Sequence, residues 1–191
     1  MEIFKVIFLA FFLNNVVLTH FLGVRSVLWK NDQIRMSFIT GGIMAIIMIP
    51  VNSINFLLQK YILLPYHIEF FQTIFFILII LLIAKIVAVI AKKAIPSFFR
   101  NYSYYFHVTS NSVVLGVCLL LFKNDFTLSY ISCLIYTIAT ILGYTLILLM
   151  MSAITDHNEV SGNPKAMQGL PISLITIGLL ALAFIGFTGV V

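Results

Sequence analysis

Six long apolar runs separated by short polar breaks restrict this chain to one class of fold. The first runs from the N-terminus to Leu13 and continues past Asn14-Asn15; the others lie at about 36–58, 70–91, 103–122, 127–151 and 170–190. A helix needs roughly 20 residues to cross the ~30 Å hydrocarbon layer of a bilayer, and each run approaches that length. Backbone amides inside lipid must be satisfied within the segment, so the runs are expected to be membrane helices. With 62% hydrophobic side chains and only 11 Lys+Arg and 6 Asp+Glu among 191 residues, a soluble enzyme, a disordered tail and a nucleic-acid binder are excluded. Cys118 and Cys133 both fall inside apolar runs, which implies neither a disulfide framework nor a self-contained zinc site.

The opening Met1-Glu2-Ile3-Phe4-Lys5 and the apolar stretch after it lack a small-x-small cleavage site, so a retained first span is expected. The connections contain Trp29-Lys30-Asn31-Asp32, Lys60 through Pro65, Lys92-Lys93 through Arg100, Lys123-Asn124-Asp125, and Asp156 to Lys165. The net charge of +5 belongs mostly to these connections, where it reads as membrane orientation. One side collects Arg25, Lys30, Arg35, Lys92, Lys93, Arg100 and Lys165, the other Lys5, Lys60 and Lys123. The positive-inside rule makes the first side cytoplasmic and places both termini outside.

Two polar patches interrupt the apolar runs: Asn14-Asn15 in the first span and Thr109-Ser110-Asn111-Ser112 in the fourth. An unsatisfied polar group at membrane depth costs roughly 2–7 kcal/mol, so these groups need partners within the protein. The patches also read alike, Asn14-Asn15-Val16-Val17-Leu18 against Asn111-Ser112-Val113-Val114-Leu115, and Phe71-Gln72-Thr73-Ile74 is echoed more weakly by Met167-Gln168-Gly169-Leu170. Three spans per copy make the second copy enter from the opposite side, an inverted repeat with its function where the copies meet. The expected fold is an all-α integral membrane domain over 1–191, with six transmembrane helices, halves 1–95 and 96–191, and interrupted first and fourth helices.

Asn14 through Leu18, Phe21-Leu22-Gly23, Thr109 through Val117, and the closing Leu174–Leu179 and Ala183–Gly189 segments together resemble the RnfA/NqrE membrane subunits. Those subunits belong to the bacterial Rnf complex and the sodium-pumping NADH:quinone reductase. The resemblance covers nearly the whole chain. It implies a six-helix subunit of the bacterial inner membrane that pairs with a homologous subunit of opposite topology, beside further membrane and redox subunits. It also implies a [2Fe-2S] cluster shared between the pair, with two cysteines from each. Those two positions fall at Arg25 and Ser112 in this sequence. Cluster iron binds thiolate sulfur, and Arg offers only donors, so the resemblance predicts the subunit without its cofactor ligands. Cys118 lies six residues beyond Ser112, about 120° around a helix and about 9 Å along it, a poor substitute.

The remaining polar residues carry paired readings. Arg25 either snorkels to the cytoplasmic surface or forms a polar lock with Asn15, Ser112 or a partner's carboxylate. Asn14, Asn15, Thr109, Ser110 and Asn111 either line a cavity for an ion or hold the repeat interface by hydrogen bonds. His20 and His107 each precede a lost cysteine position by five residues, about 140° off its face, which favours satisfied boundary histidines over iron ligands. Lys85 lies within the third span and reads as a snorkelling cation or a contact to a neighbouring protein, and Asp156-His157-Asn158-Glu159 as a solvated turn. No phosphate cradle, carboxylate pair or nucleophile motif is present, so the chain is not expected to catalyse alone. The functional expectation is a core subunit of a redox-driven ion-translocating complex. The competing expectation is a paralogue without ligand cysteines, serving as a transporter component or structural membrane subunit.

Overall fold

The computed structural model describes residues 7–13, 15–24, 34–94, 112–123, 129–160, 164 and 167–186, and among them ordered elements are helical without exception. A π-helical turn, Leu9–Leu13, is followed after a break by α1, Val16–His20. The longer helices are α2 (Ile34–Leu58), α3 (Gln72–Ala94), α4 (Ser112–Lys123), α5 (Tyr130–Val160) and α6 (Leu170–Ile185). A second π-helical segment, Gln59–Leu63, extends α2, and a 3-10 turn, Glu69–Phe71, introduces α3.

These helices fall where apolar runs lie in the sequence, with two corrections. The expected connection from Lys60 begins only at Leu64, because the π-helical segment carries the chain on through Leu63. Asp156-His157-Asn158-Glu159 is not a turn: α5 continues to Val160, since no helix-breaking residue occurs before Gly162 and Pro164. Two helical stretches, Ser37–Leu63 and Tyr130–Thr155, are long and apolar enough to cross a bilayer; Gln72–Val87, Ser112–Phe122 and Leu170–Ile185 are shorter apolar helices.

The chain forms two compact units, Met1–Gly42 with Ala139–Val191, and Ile43–Ile138. In the first, Val16, Val17, Tyr144, Ile147 and Leu148 are buried, and the Phe12 and Phe184 rings approach to 5.9 Å. Small residues allow close backbone approach, the usual route to helix packing where lipid removes any hydrophobic gain. A Cβ on Gly41 of α2 would collide with the Thr145 hydroxyl of α5, and Ser37 Oγ donates to the Leu148 carbonyl at 3.4 Å. In the second unit Met44, Ile47, Met48, Val51, Phe76, Val117 and Tyr136 are buried, with Phe76 and Phe122 rings 4.9 Å apart.

Apolar side chains also cover the outside. On α3, Leu78, Leu81, Leu82, Ile86 and Val89 are exposed, and on α6 so are Leu174, Ile175, Leu179 and Leu182. Asn15, Ser37, Thr40, Asn52, Asn55, Thr137, Thr140 and Ser152 are buried instead. Such an apolar exterior around polar interior contacts suits lipid as the surrounding solvent. Lys85 is exposed on the same face of α3 as Leu81, Leu82 and Ile86.

Candidate functional site

The first span breaks at Asn15, and the break is built from that residue's own groups. Its backbone is extended, φ −61° and ψ 114°, so the helix cannot run straight through. Asn15 Oδ1 accepts from the Val17 N–H at 3.2 Å, capping α1, while Nδ2 donates to the Phe11 carbonyl at 3.3 Å. The Asn15 carbonyl accepts from the Thr19 N–H at 2.9 Å and from the Thr19 hydroxyl at 2.7 Å. The amide therefore joins both sides of the interruption, satisfying groups that lipid would leave orphaned. At the other end Phe21 adopts a left-handed conformation, φ 53°, and its N–H and that of Leu22 close on the Val16 carbonyl. Gly143 of α5 packs here: a Cβ on it would stand 2.8 Å from the Phe11 carbonyl oxygen and 3.1 Å from Asn15 Nδ2.

The other sequence candidates divide sharply. Ser112 is the exposed first residue of α4, and His20 is exposed at the end of α1. Asn14, Arg25, His107, Thr109, Ser110 and Asn111 lie outside the described residues. Of the proposed interface residues, Asn15 is buried, 1% exposed, with both side-chain groups engaged within the break.

A second buried polar cluster, inside the Ile43–Ile138 unit, goes unannounced by any motif in the sequence. Asn52 Nδ2 donates to Thr137 Oγ1 at 3.0 Å, and Thr137 Oγ1 donates to the Cys133 carbonyl at 2.8 Å. Asn55 Nδ2 donates to Cys118 Sγ at 2.8 Å. Asn52 and Asn55 are fully buried and Gln59 is 9% exposed, yet among the described residues Asn52 Oδ1, Asn55 Oδ1 and Gln59 Oε1 have no hydrogen-bond partner. Each such orphan costs about 1–3 kcal/mol. The available signal is the spacing of three and four residues along one apolar run, which puts all three amides on one helix face.

With this geometry, the relationship to known proteins is direct. The model of the family described as Rnf-Nqr subunit, membrane protein, matches residues 3–191. The chain belongs to the Rnf-Nqr family. It is 36% identical over 181 residues to the A subunit of the Na(+)-translocating ferredoxin:NAD(+) oxidoreductase complex of Acetobacterium woodii, covering 94% of this chain and 93% of that one. It is 32% identical over 183 residues, 95% of this chain and 94% of the relative, to the A subunit of the ion-translocating oxidoreductase complex of Syntrophotalea carbinolica. The A subunit of the complex so named in Pseudoalteromonas atlantica is 31% identical over 179 residues, 93% and 92% of the two chains.

The donor set of this Rnf-Nqr member does not fit the cluster that the resemblance implies. Ser112 presents a hydroxyl and position 25 is Arg, where thiolates would be required. Cys118 and Cys133 are buried in the second unit, Cys118 against the Asn55 amide and Cys133 Sγ 4.0 Å from the Asn52 carbonyl. They hold that unit's packing, and no electron step through an iron–sulfur group is derived for this chain.

Proposed function

We propose that the chain is the membrane core component corresponding to the A subunit of an Rnf-type, redox-driven ion-translocating complex, contributing architecture and no cluster ligands. The supporting observation is the family match over 3–191 together with a first span broken at Asn15 by an amide that satisfies both sides of the gap. In this reading the six helices form an inverted repeat, 1–95 and 96–191. The two like-reading patches support it, Asn14-Asn15-Val16-Val17-Leu18 against Asn111-Ser112-Val113-Val114-Leu115, and in the first of them α1 starts at Val16, just after Asn15. The chain pairs with a homologous subunit of opposite topology in the bacterial inner membrane, with both termini outside, as the distribution of Lys and Arg suggests.

An affinity tag on the full chain in its native host tests the assembly. Co-purification with a homologous six-helix protein and with flavin- or NADH-binding subunits in constant ratio is expected. Recovery alone, or with ATPase or solute-uptake proteins, overturns the reading. That outcome would favour a paralogue working as a transporter component or structural subunit, the reading that Arg25 and Ser112 in place of thiolates support. Alkaline phosphatase fused to the C-terminus is expected to be active, as an external terminus requires.

A further inference from the structure

Three proton-free oxygens line one face of the extended α2 in the Ile43–Ile138 unit. Asn52, Asn55 and Gln59 are three and four residues apart, within about 60° of arc on a helix. Thr137 gives its hydroxyl proton to the Cys133 carbonyl at 2.8 Å, and its oxygen accepts from Asn52 Nδ2 at 3.0 Å. Among the described residues, Asn52 Oδ1, Asn55 Oδ1 and Gln59 Oε1 find no donor. At Gln59 the helix also passes from α to π geometry, a local widening that recurs at binding sites.

Oxygen lone pairs with no protons aimed at them are the ligands of a hard cation. All three are neutral. α2, α3 and α4 contain no Asp or Glu, and those of α5, Asp156 and Glu159, lie outside this unit, whose own acids are Glu69 in the turn before α3 and Asp125, outside the described residues. A site of neutral amide oxygens matches a singly charged ion that gives up water readily, whereas Mg²⁺ dehydrates reluctantly and is held through carboxylates. We propose that this face binds an alkali-metal cation through Asn52 Oδ1 and Asn55 Oδ1, with Gln59 Oε1 one turn further along. The inference stands apart from the assembly reading, because binding is measured on the full chain without partner subunits.

Water would also satisfy these oxygens, but it would not distinguish one salt from another. The test is thermal unfolding of the full chain in nanodiscs, in NaCl, KCl or choline chloride at equal ionic strength, beside ²²Na⁺ binding. A rise of about 3–6 °C in NaCl or KCl over choline chloride is expected when the cation is at ten times its Kd. Asn55→Leu is expected to abolish the rise and Gln59→Leu to weaken binding several-fold. Equal unfolding temperatures in all three salts for the unsubstituted chain overturn the proposal, whether or not the variants fold. So does a rise given by MgCl₂ but by neither NaCl nor KCl.

Discussion

Gly143 faces the Phe11 carbonyl so closely that a Cβ on it would lie 2.8 Å from that oxygen. The obstacle is backbone on the broken first span, which is tied on its other side by Asn15. Gly143→Ala is therefore expected to lose about 1–3 kcal/mol through overpacking, and Gly143→Leu to prevent stable folding. Unfolding temperature and the yield of monodisperse protein read the effect.

Gly41 and Gly42 are neighbours in α2 with opposite expectations. A Cβ on Gly41 meets the Thr145 side chain, 2.7 Å from Cγ2 and 3.1 Å from Cβ, and the Thr145 hydroxyl is held by the Ile141 carbonyl at 2.8 Å. Among the described residues nothing lies within 4 Å of a Cβ on Gly42. Gly41→Ala is expected to cost about 1–3 kcal/mol, part of it recovered when combined with Thr145→Ala. Gly42→Ala is expected to be neutral or to stabilise by up to about 1 kcal/mol, the helix preference of Ala over Gly. A double-mutant cycle on unfolding free energies checks both.

Asn15→Ala removes the cap on α1 and the donor to Phe11 together. A loss of about 0.5–2 kcal/mol from the cap alone is expected, with more where the freed carbonyl stays dry. Asn15→Ser keeps an uncharged acceptor for the Val17 N–H and loses the donor to Phe11, so it should fall between Ala and the unsubstituted chain. Stability of the three proteins in one membrane mimetic gives the order, and a Ser variant no better than Ala would remove the capping role.

Cys118→Ala and Cys133→Ala are expected to leave the iron content of the purified complex unchanged, because neither thiol occupies a cluster-ligand position. Cys118→Ala also strands the Asn55 amide, which should cost about 1–3 kcal/mol. Elemental analysis beside EPR separates the two effects. Iron lost with normal stability would return the cysteines to a cofactor role.

Much of the architecture is legible residue by residue. Asn14-Asn15 in an apolar run announces a break, since lipid offers amides no partner, and the structure places the interruption there with Asn15 as the cap. The helical extent of Asp156–Val160 is misread because polar residues after a span suggest a surface turn, although none of them stops a helix. The amide ladder of Asn52, Asn55 and Gln59 escapes notice for a different reason. Isolated polar residues in a span usually find partners, and periodicity alone cannot reveal that only the donor half of Asn52 and of Asn55 does so.

Hydropathy, counted along the chain, determined by itself an all-helical membrane protein, because lipid imposes the same requirement on every backbone group. That Arg25 and Ser112 stand at the positions where the resemblance implies thiolates is likewise read from the sequence alone. Only the tertiary structure decided which amides are consumed and which are left with bare oxygens. Hydrogen bonding in a buried cluster depends on which donor faces each acceptor, and the facing residues Thr137 and Cys118 stand 85 and 63 positions from Asn52 and Asn55 in the chain.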